Sequence, residues 1–202
     1  MESHILSISS LFDDESFSSG AICRLADIEG TCCYCSPASA GQLRRRTAHI
    51  PVRALHWIDS GDYHYLTILF LERLKTPFRL ELIDNHPDDQ EPSFFSPGML
   101  SCGGWVRDAR RLPLYREGGD CPVYLSIDLD FLSEEVFETD WDQGSATYED
   151  LLSRIIPLAG SEVAGIDICG GITRAQGASD AVLARNRSLR ERLALDIARI
   201  LH

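Results

Sequence analysis

The chain has 202 residues, of which 44% are hydrophobic and 25% are charged, as is usual for a soluble globular protein. This length suits one domain with a sizeable core, so we predict a single domain over residues 1–202. The net charge of −12 disfavours nucleic acid or an anionic membrane as a partner. With neither a signal-peptide pattern nor a bilayer-length apolar stretch, we predict a cytoplasmic protein.

The N-terminal part of the chain predicts short strands followed by a helix. The predicted strands span residues 4–8, 22–28 and 31–35. An acidic, serine-rich loop at 13–20 follows the first strand, and a turn at Glu29-Gly30 joins the other two. Ser36 and Pro37 suit the cap and the first turn of a helix that ends near Arg46, because basic residues favour a helix C-terminus.

From residue 54 onwards, apolar runs alternate with helical patterns. The predicted strands span 54–58, 78–83, 123–127 and 163–168, and the predicted helices 65–75, 103–111, 148–156 and 188–201. Apolar strands joined by helical crossovers indicate a mainly parallel sheet covered on both faces, which is a three-layer α/β sandwich. Ligands of such sheets bind beyond the carboxyl ends of the strands. Each of these strands carries an aspartate at or near its end: Asp59, Asp84, Asp128 and Asp167.

Three candidate metal ligands alternate after the strand at 78–83. They are Asp84, His86 and Asp88, and an extended chain points alternate side chains in one direction. Carboxylate combined with imidazole suits Mn, Fe or Zn better than Ca or Mg. An aspartate after a strand is also a common helix cap, so this triplet alone leaves a structural role open.

A second acidic pair ends the strand at 123–127. Burying Asp128 and Asp130 side by side without a counter-charge is costly, since like charges raise each other's pKa. Together with Asp84 and Asp88 they carry four negative charges, which two divalent cations would balance. We therefore predict a two-metal site.

These motifs resemble those of the arginase-like ureohydrolases. Asp84-x-His86-x-Asp88 and Ser126-x-Asp128-x-Asp130 are similar to the two signatures that hold a binuclear manganese cluster on a three-layer α/β fold in that family. A third motif, Gly-Gly-Asp-His, is matched loosely by Ser60–His64, with Asp62 and Tyr63 where the family has Gly and Asp. The similarity covers roughly residues 54–170. The segments 101–106 and 140–144 look more like a small divergent branch than like arginase itself.

The resemblance implies a ligand set and a reaction. The implied ligands are His64, Asp84, His86, Asp88, Asp128 and Asp130. One ion is bound by His64 and Asp88 and the other by His86 and Asp130, while Asp84 and Asp128 bridge or approach both. The ions are expected to be Mn, with Zn or Fe as alternatives, and to hold a hydroxide that attacks the trigonal carbon of a guanidine, amidine or amide. A loop at 90–99 is expected to lie over this site.

The sequence departs from the family pattern at two places. The family has a histidine proton shuttle shortly after the first aspartate motif, and the matching region, Gly98–Gly103, has none. The family also places a guanidinium-binding glutamate three residues after a late aspartate, and counting from Asp167 leads to Gly170. We therefore predict that Asp142 faces a cationic substrate group. Tyr63 and Ser101, with Cys102, are the candidates for proton transfer or substrate contact.

Three functions remain open at this point. The first is a hydrolase of C–N bonds that acts on a small molecule. The second is a catalytically inactive member of the fold that binds metal as a sensor or assembly subunit. The third is an α/β domain whose acidic loops bind another ligand, such as a nucleotide through Mg, although no phosphate-binding glycine motif is present. The sequence leaves open whether the protein forms a homo-oligomer.

The seven cysteines are predicted to be free thiols in a reducing compartment. Cys32 and Cys35 form a Cys-x-x-Cys pair, which is compatible with a redox pair or with half of a zinc site. No second pair with suitable spacing completes a tetrahedral set, so we expect a structural role for both.

Overall fold

The computed structural model describes residues 1–13, 20–91 and 98–201. Most of the predicted acidic loop at 13–20, and the middle of the predicted loop at 90–99, lie outside the described residues. No helix within these ranges is long and apolar enough to cross a membrane.

A six-stranded parallel sheet forms the centre of the molecule. In chain order the strands are β1 (Ser3–Ser7), β2 (Ala21–Arg24), β3 (Tyr34–Cys35), β4 (Leu55–Ile58), β5 (Arg79–Ile83), β6 (Leu100–Ser101), β7 (Val123–Asp128) and β8 (Val163–Cys169). The strand order in the six-stranded sheet is β2-β1-β4-β8-β7-β5. The remaining strands, β3 and β6, pair antiparallel with each other. The predicted parallel sheet is therefore confirmed.

Helices cover both faces of this sheet. They are α1 (Pro37–Thr47), α2 (Thr67–Leu71), α3 (Trp105–Arg110), α4 (Tyr148–Ile155) and α5 (Asp180–Ile200). Because side chains alternate along a strand, the sheet contributes to two separate cores. One core packs strand residues such as Tyr124 against α1, α2 and α3, and the other packs residues such as Leu125 against α4 and α5. This is the three-layer sandwich predicted from the sequence.

Several predicted element boundaries are wrong. The segment predicted as a strand over 22–28 leaves the sheet after Arg24, because a turn forms in which the Ile28 N–H donates to the Leu25 carbonyl at 3.0 Å. The helix predicted to begin at 188 begins at Asp180, where the Ser179 side chain accepts the Val182 N–H. The helix predicted over 65–75 is a 3₁₀ turn over Gly61–Leu66 followed by the short α2. That turn positions a histidine at the carboxyl end of the sheet.

The stability of the fold should depend on His56, which lies in β4 and is fully buried. Its ring stacks on Phe70 with centroids 3.7 Å apart, and its Nε2 lies 2.8 Å from the Pro51 carbonyl oxygen. Burial lowers the pKa of His56 to about 3. Since an unfolded histidine has a pKa of about 6.5, the unfolded chain binds one more proton than the native state between these values. The stabilisation is therefore present above about pH 6.5 and is lost as the pH falls towards 3.

We expect His56 to contribute about 2 kcal/mol to the loss of unfolding free energy between pH 7 and pH 5. His56→Gln keeps a donor for the Pro51 carbonyl and should remove this contribution, as measured by urea unfolding at both pH values. His49→Gln, at an exposed histidine, is the matched control and should leave the pH dependence unchanged. An equal loss in wild type and His56→Gln would show that His56 is not the titrating group.

Candidate metal centre

The six predicted metal ligands come from three segments at the carboxyl end of the sheet. His64 lies in the 3₁₀ turn that follows β4, and Asp84, His86 and Asp88 follow β5. Asp128 ends β7, and Asp130 lies in the 3₁₀ turn directly after it. The parallel arrangement thus brings together residues that are up to 66 positions apart in the chain. Their role as ligands remains a prediction.

The first group of candidate ligands surrounds His64, which is fully buried. Its Nδ1 lies 3.4 Å from Asp84 Oδ2, 3.3 Å from Asp88 Oδ2 and 3.4 Å from Asp128 Oδ2. Neither His64 Nδ1 nor Asp84 Oδ2 has a hydrogen-bond partner, although both atoms are buried. Metal–ligand bonds of about 2.1 Å place neighbouring ligand atoms roughly 3.0–3.4 Å apart. The spacing and the unpartnered atoms therefore fit a cation among these four side chains.

The second group adjoins the first through Asp84. His86 Nδ1 lies 2.8 Å from Asp130 Oδ2 and 3.8 Å from Asp84 Oδ1. Asp84 thus presents one carboxylate oxygen to each histidine, as expected of a residue shared by two ions. Asp128 faces His64 through Oδ2, while its Oδ1 accepts the Asp130 N–H at 3.0 Å. These contacts make Asp84 the clearest candidate for a shared ligand.

The tautomer of His64 follows from its second nitrogen. His64 Nε2 lies 2.9 Å from Ser126 Oγ, and the Ser126 hydroxyl donates to Asp167 Oδ1 at 2.5 Å. Since Ser126 has given its only hydrogen to Asp167, it accepts the Nε2–H of His64. This leaves Nδ1, which faces three carboxylates, either to carry a proton when no metal is bound or to direct its lone pair at a bound cation. Asp167 has a supporting role that the sequence pattern did not reveal.

Without cations, the crowding of carboxylates shifts the proton affinities of the site. Burial and the neighbouring Asp130 raise the pKa of Asp128 well above its ordinary value. Burial and Asp84 raise the pKa of Asp130 to about 6. Burial opposes charge on His64, yet Asp84, Asp88 and Asp128 raise its pKa well above the usual range. The site therefore needs added positive charge, from protons or from metal ions.

Ser126→Ala should weaken binding of the ion next to His64 by about 10–100-fold, because groups that orient a metal-binding histidine commonly contribute that much. Competition with a metal indicator measures the affinity, and Ser126→Thr should restore most of it by returning the hydroxyl. Ser153→Ala, at an exposed serine of α4 that contacts none of the candidate ligands through a hydrogen bond, is the control. Unchanged affinity in Ser126→Ala would contradict the deduced hydrogen-bond direction.

A small crevice of about 20 Å³ opens above the candidate ligands. Besides the ligands it is lined by Gly61, Cys102, Gly103 and Trp141. The Trp141 indole covers Gly61, where an added Cβ would lie 2.9 Å from its ring, and meets the His86 ring edge-on with centroids 5.9 Å apart. Burial raises the pKa of the Cys102 thiol to about 11, so this group keeps its proton at neutral pH.

The three candidate catalytic residues, Tyr63, Ser101 and Asp142, do not line this crevice. Tyr63 is buried in the apolar core, and Ser101 belongs to β6. Asp142 lines a separate shallow depression. Their immediate neighbours Cys102, at the start of a 3₁₀ turn, and Trp141, in a bend, reach the crevice instead. Cys102 was already a candidate for proton transfer or substrate contact from the sequence, and the catalytic roles of Tyr63, Ser101 and Asp142 remain predictions.

Gly170 cannot be replaced by the family's glutamate without rearrangement. Its φ is +101°, and an added Cβ would lie 2.6 Å from Asp128 Oδ1. Only glycine adopts this conformation readily, so position 170 brings the backbone close to a candidate metal ligand. The departure noted in the sequence thus has a steric cause.

Comparison with known proteins identifies the fold. No family model matches the chain. An uncharacterised protein of Thermotoga maritima is 33% identical over 56% of this chain and 56% of its own length, so the chain spans little more than half of that relative. The proclavaminate amidino hydrolase of Streptomyces clavuligerus has a TM-score of 0.62 at 14% identity, covering 94% of this chain and 78% of that protein. The arginase of Medicago truncatula has a TM-score of 0.60 at 13% identity, covering 98% and 86%.

The chain has the arginase-like fold. A third structure with this fold, the formiminoglutamase of Trypanosoma cruzi, was solved with a pair of Mn²⁺ ions. Its TM-score is 0.54 at 11% identity, and it covers 88% of this chain and 76% of that protein. The three-layer arginase-like fold predicted from the sequence is therefore confirmed.

Proposed function

We propose that this arginase-like protein is a hydrolase of C–N bonds that depends on two divalent metal ions, with Mn as the preferred metal. The observation that carries the proposal is the pair of adjoining groups of candidate ligands joined by Asp84, with His64 Nδ1 3.3–3.4 Å from oxygens of three carboxylates. Structural relatives named as amidino hydrolase and arginase support the reaction class. Carboxylate oxygens with two imidazoles are a donor set that suits Mn.

Each part of the site has a distinct task in this proposal. A pair of divalent ions supplies Lewis-acid polarisation of the substrate and lowers the pKa of a water nucleophile. His64 and His86 hold the two positions, and Ser126 fixes the ring of His64. Trp141 shields the crevice from bulk water, which strengthens electrostatic interactions inside it. Cys102 lines the crevice without belonging to the candidate ligand set, and its thiol keeps its proton at neutral pH. We therefore propose it as the proton donor.

The substrate is proposed to be a neutral or differently charged C–N compound rather than arginine or agmatine. Among the described residues lining the crevice, every carboxylate belongs to the candidate ligand set. An alkyl guanidinium would therefore lack a dedicated anion, and binding an unpaired charge in a desolvated site is costly. The missing shuttle histidine removes general-acid help, which is commonly worth about a hundredfold or more in rate.

We accordingly expect little or no urea from arginine or agmatine with both ions bound. The measurement is urea production by Mn-loaded protein at neutral to alkaline pH, alongside a panel of amidines, formimino compounds and amides monitored for ammonia release. Turnover of arginine near one per second, within the usual enzyme range, would show that other groups replace the missing shuttle histidine and the missing guanidinium-binding glutamate.

A second function is favoured by the size of the crevice. About 20 Å³ holds roughly one water molecule, so a substrate requires the crevice to widen, and Trp141 is the largest of the side chains that line it. A protein that binds metal as a sensor or assembly subunit needs no such opening. Trp141→Ala separates the two functions, because it should admit small substrates to a competent site and raise ammonia release. Full metal occupancy without turnover in either form, across the panel, would favour the non-catalytic function.

A further inference from the structure

A second cluster of metal-ligating side chains lies outside the crevice. Cys32 Sγ is 3.2 Å from Asp62 Oδ2, Cys33 Sγ is 3.1 Å from Asp62 Oδ1, and the two sulfur atoms are 4.0 Å apart. This is not the Cys-x-x-Cys pair anticipated from the sequence, because Cys35 is buried and its thiol faces the Ser36 carbonyl at 3.6 Å. Two adjacent thiols therefore share one carboxylate.

We propose that Cys32, Cys33 and Asp62 form a separate site for a thiophilic divalent cation of the zinc class. Tetrahedral coordination with metal–sulfur bonds of about 2.3 Å places two sulfurs roughly 3.8 Å apart and a sulfur and an oxygen roughly 3.5 Å apart. The sulfur separation of 4.0 Å is close to the first value, and the two sulfurs lie 3.2 and 3.1 Å from different oxygens of Asp62, so the carboxylate would face the cation with both oxygens. Three protein ligands leave the fourth position for water, and each thiol releases its proton to solvent on binding.

The backbone brings both thiols to the same side. Successive residues of an extended chain point in opposite directions, yet Cys32 and Cys33 both contact Asp62. Cys33 achieves this with a left-handed backbone, φ +54°, a conformation that residues with a Cβ rarely adopt. Backbone hydrogen bonds hold it there, from Cys33 N–H to the Asp62 carbonyl at 3.2 Å and from Cys102 N–H to the Cys33 carbonyl at 2.9 Å.

The chemistry of this cluster differs from that of the crevice. Two sulfurs and one oxygen are a soft donor set that selects zinc, cobalt or cadmium over manganese, whereas the crevice offers carboxylates and imidazoles. Burial does not account for the thiols, because Cys32 is exposed and Cys33 is partly exposed. The protein would thus hold two kinds of metal in neighbouring places.

The proposed site is connected to the crevice through Asp62. Asp62 Oδ1 accepts the Trp141 indole N–H at 3.2 Å, and Trp141 lines the crevice. A cation on Asp62 competes for the oxygen that holds this indole. Occupancy of the cysteine site should therefore change the position or environment of Trp141 and alter its fluorescence.

Cobalt titration tests this proposal independently of catalysis. The full chain is reduced and stripped of metal, saturated with Mn²⁺ to fill the crevice, and then titrated with Co²⁺. We expect thiolate-to-cobalt charge-transfer absorption in the near ultraviolet that saturates at about one equivalent per chain. Cys32→Ser and the double variant Cys32→Ser/Cys33→Ser should lose this absorption while keeping their Mn²⁺.

Two other cysteines provide matched controls. Cys121→Ser changes a thiol just before β7, and Cys23→Ser changes a thiol in β2; both should retain the cobalt band. The fluorescence change on adding Zn²⁺ should disappear in Trp141→Phe. Absence of the band in the wild type, or its persistence in the double variant, would show that the two thiols only donate hydrogen bonds to Asp62.

Discussion

Asp84→Asn should remove both ions from the crevice, lowering the affinity for each by at least about 100-fold. Asp84 Oδ2 faces the His64 group and Oδ1 faces the His86 group, so a single amide disturbs both. Its side chain is 2% exposed and asparagine has nearly the same volume, which keeps the packing intact. Elemental analysis after gel filtration in excess Mn²⁺ measures the occupancy.

Matched variants give this prediction its specificity. Asp88→Asn should chiefly weaken the ion beside His64, and His86→Ala the other ion. Asp89→Asn changes the next, exposed residue, whose carboxylate pairs with Arg110 at 3.2 Å, and should leave both ions in place. If Asp84→Asn retained two ions per chain, the assignment of Asp84 as the shared ligand would be wrong.

Removing the metal should lower the melting temperature by roughly 10–20 °C. Two ions, each present at about 100 times its dissociation constant, stabilise the native state by about 5 kcal/mol in total, and each kcal/mol shifts the melting temperature of a domain of this size by roughly 2–4 °C. The cause lies in Asp84, Asp88, Asp128 and Asp130, whose mutual repulsion at buried positions is relieved by cations.

The measurement is thermal unfolding before and after chelation, with metal removal verified by elemental analysis. Mn²⁺ should restore the melting temperature more fully than Ca²⁺, which prefers six to eight oxygen ligands and gains little from imidazole. Asp84→Asn should melt at the same temperature with and without chelator. A verified metal-free wild type that melts like the metal-loaded protein would refute a site that needs cations for its stability.

The parallel sheet and the six candidate ligands could be predicted because each depends on local sequence signals. Apolar runs mark the buried strands, and the aspartates directly after β5 and within β7 must emerge at the same edge once the strands are parallel. The placement of Asp84, His86 and Asp88 at alternate positions after β5 could also be recognised from the sequence.

The remaining features depend on tertiary contacts that the pattern does not encode. His64 was a candidate only through a loosely matched family motif, and the 3₁₀ turn at Gly61–Leu66 that brings its ring to the carboxylates is seen only in the structure. Ser126 and Asp167 lie opposite each other in the β7–β8 register, 41 residues apart in the chain. Cys102 faces the crevice where Ser101 was expected to, and Trp141 where Asp142 was expected to. Both lie in irregular segments, in which a shift of one residue changes which side chain points into the crevice.

The most direct test of the two-metal site is the electron paramagnetic resonance spectrum of the Mn-loaded protein. Ions that share Asp84 would lie within the few ångströms at which two Mn²⁺ ions are magnetically coupled. We predict the multiline spectrum of a coupled pair in wild type and its absence in Asp84→Asn. A wild-type spectrum of isolated Mn²⁺ ions at full occupancy would contradict a shared-ligand pair.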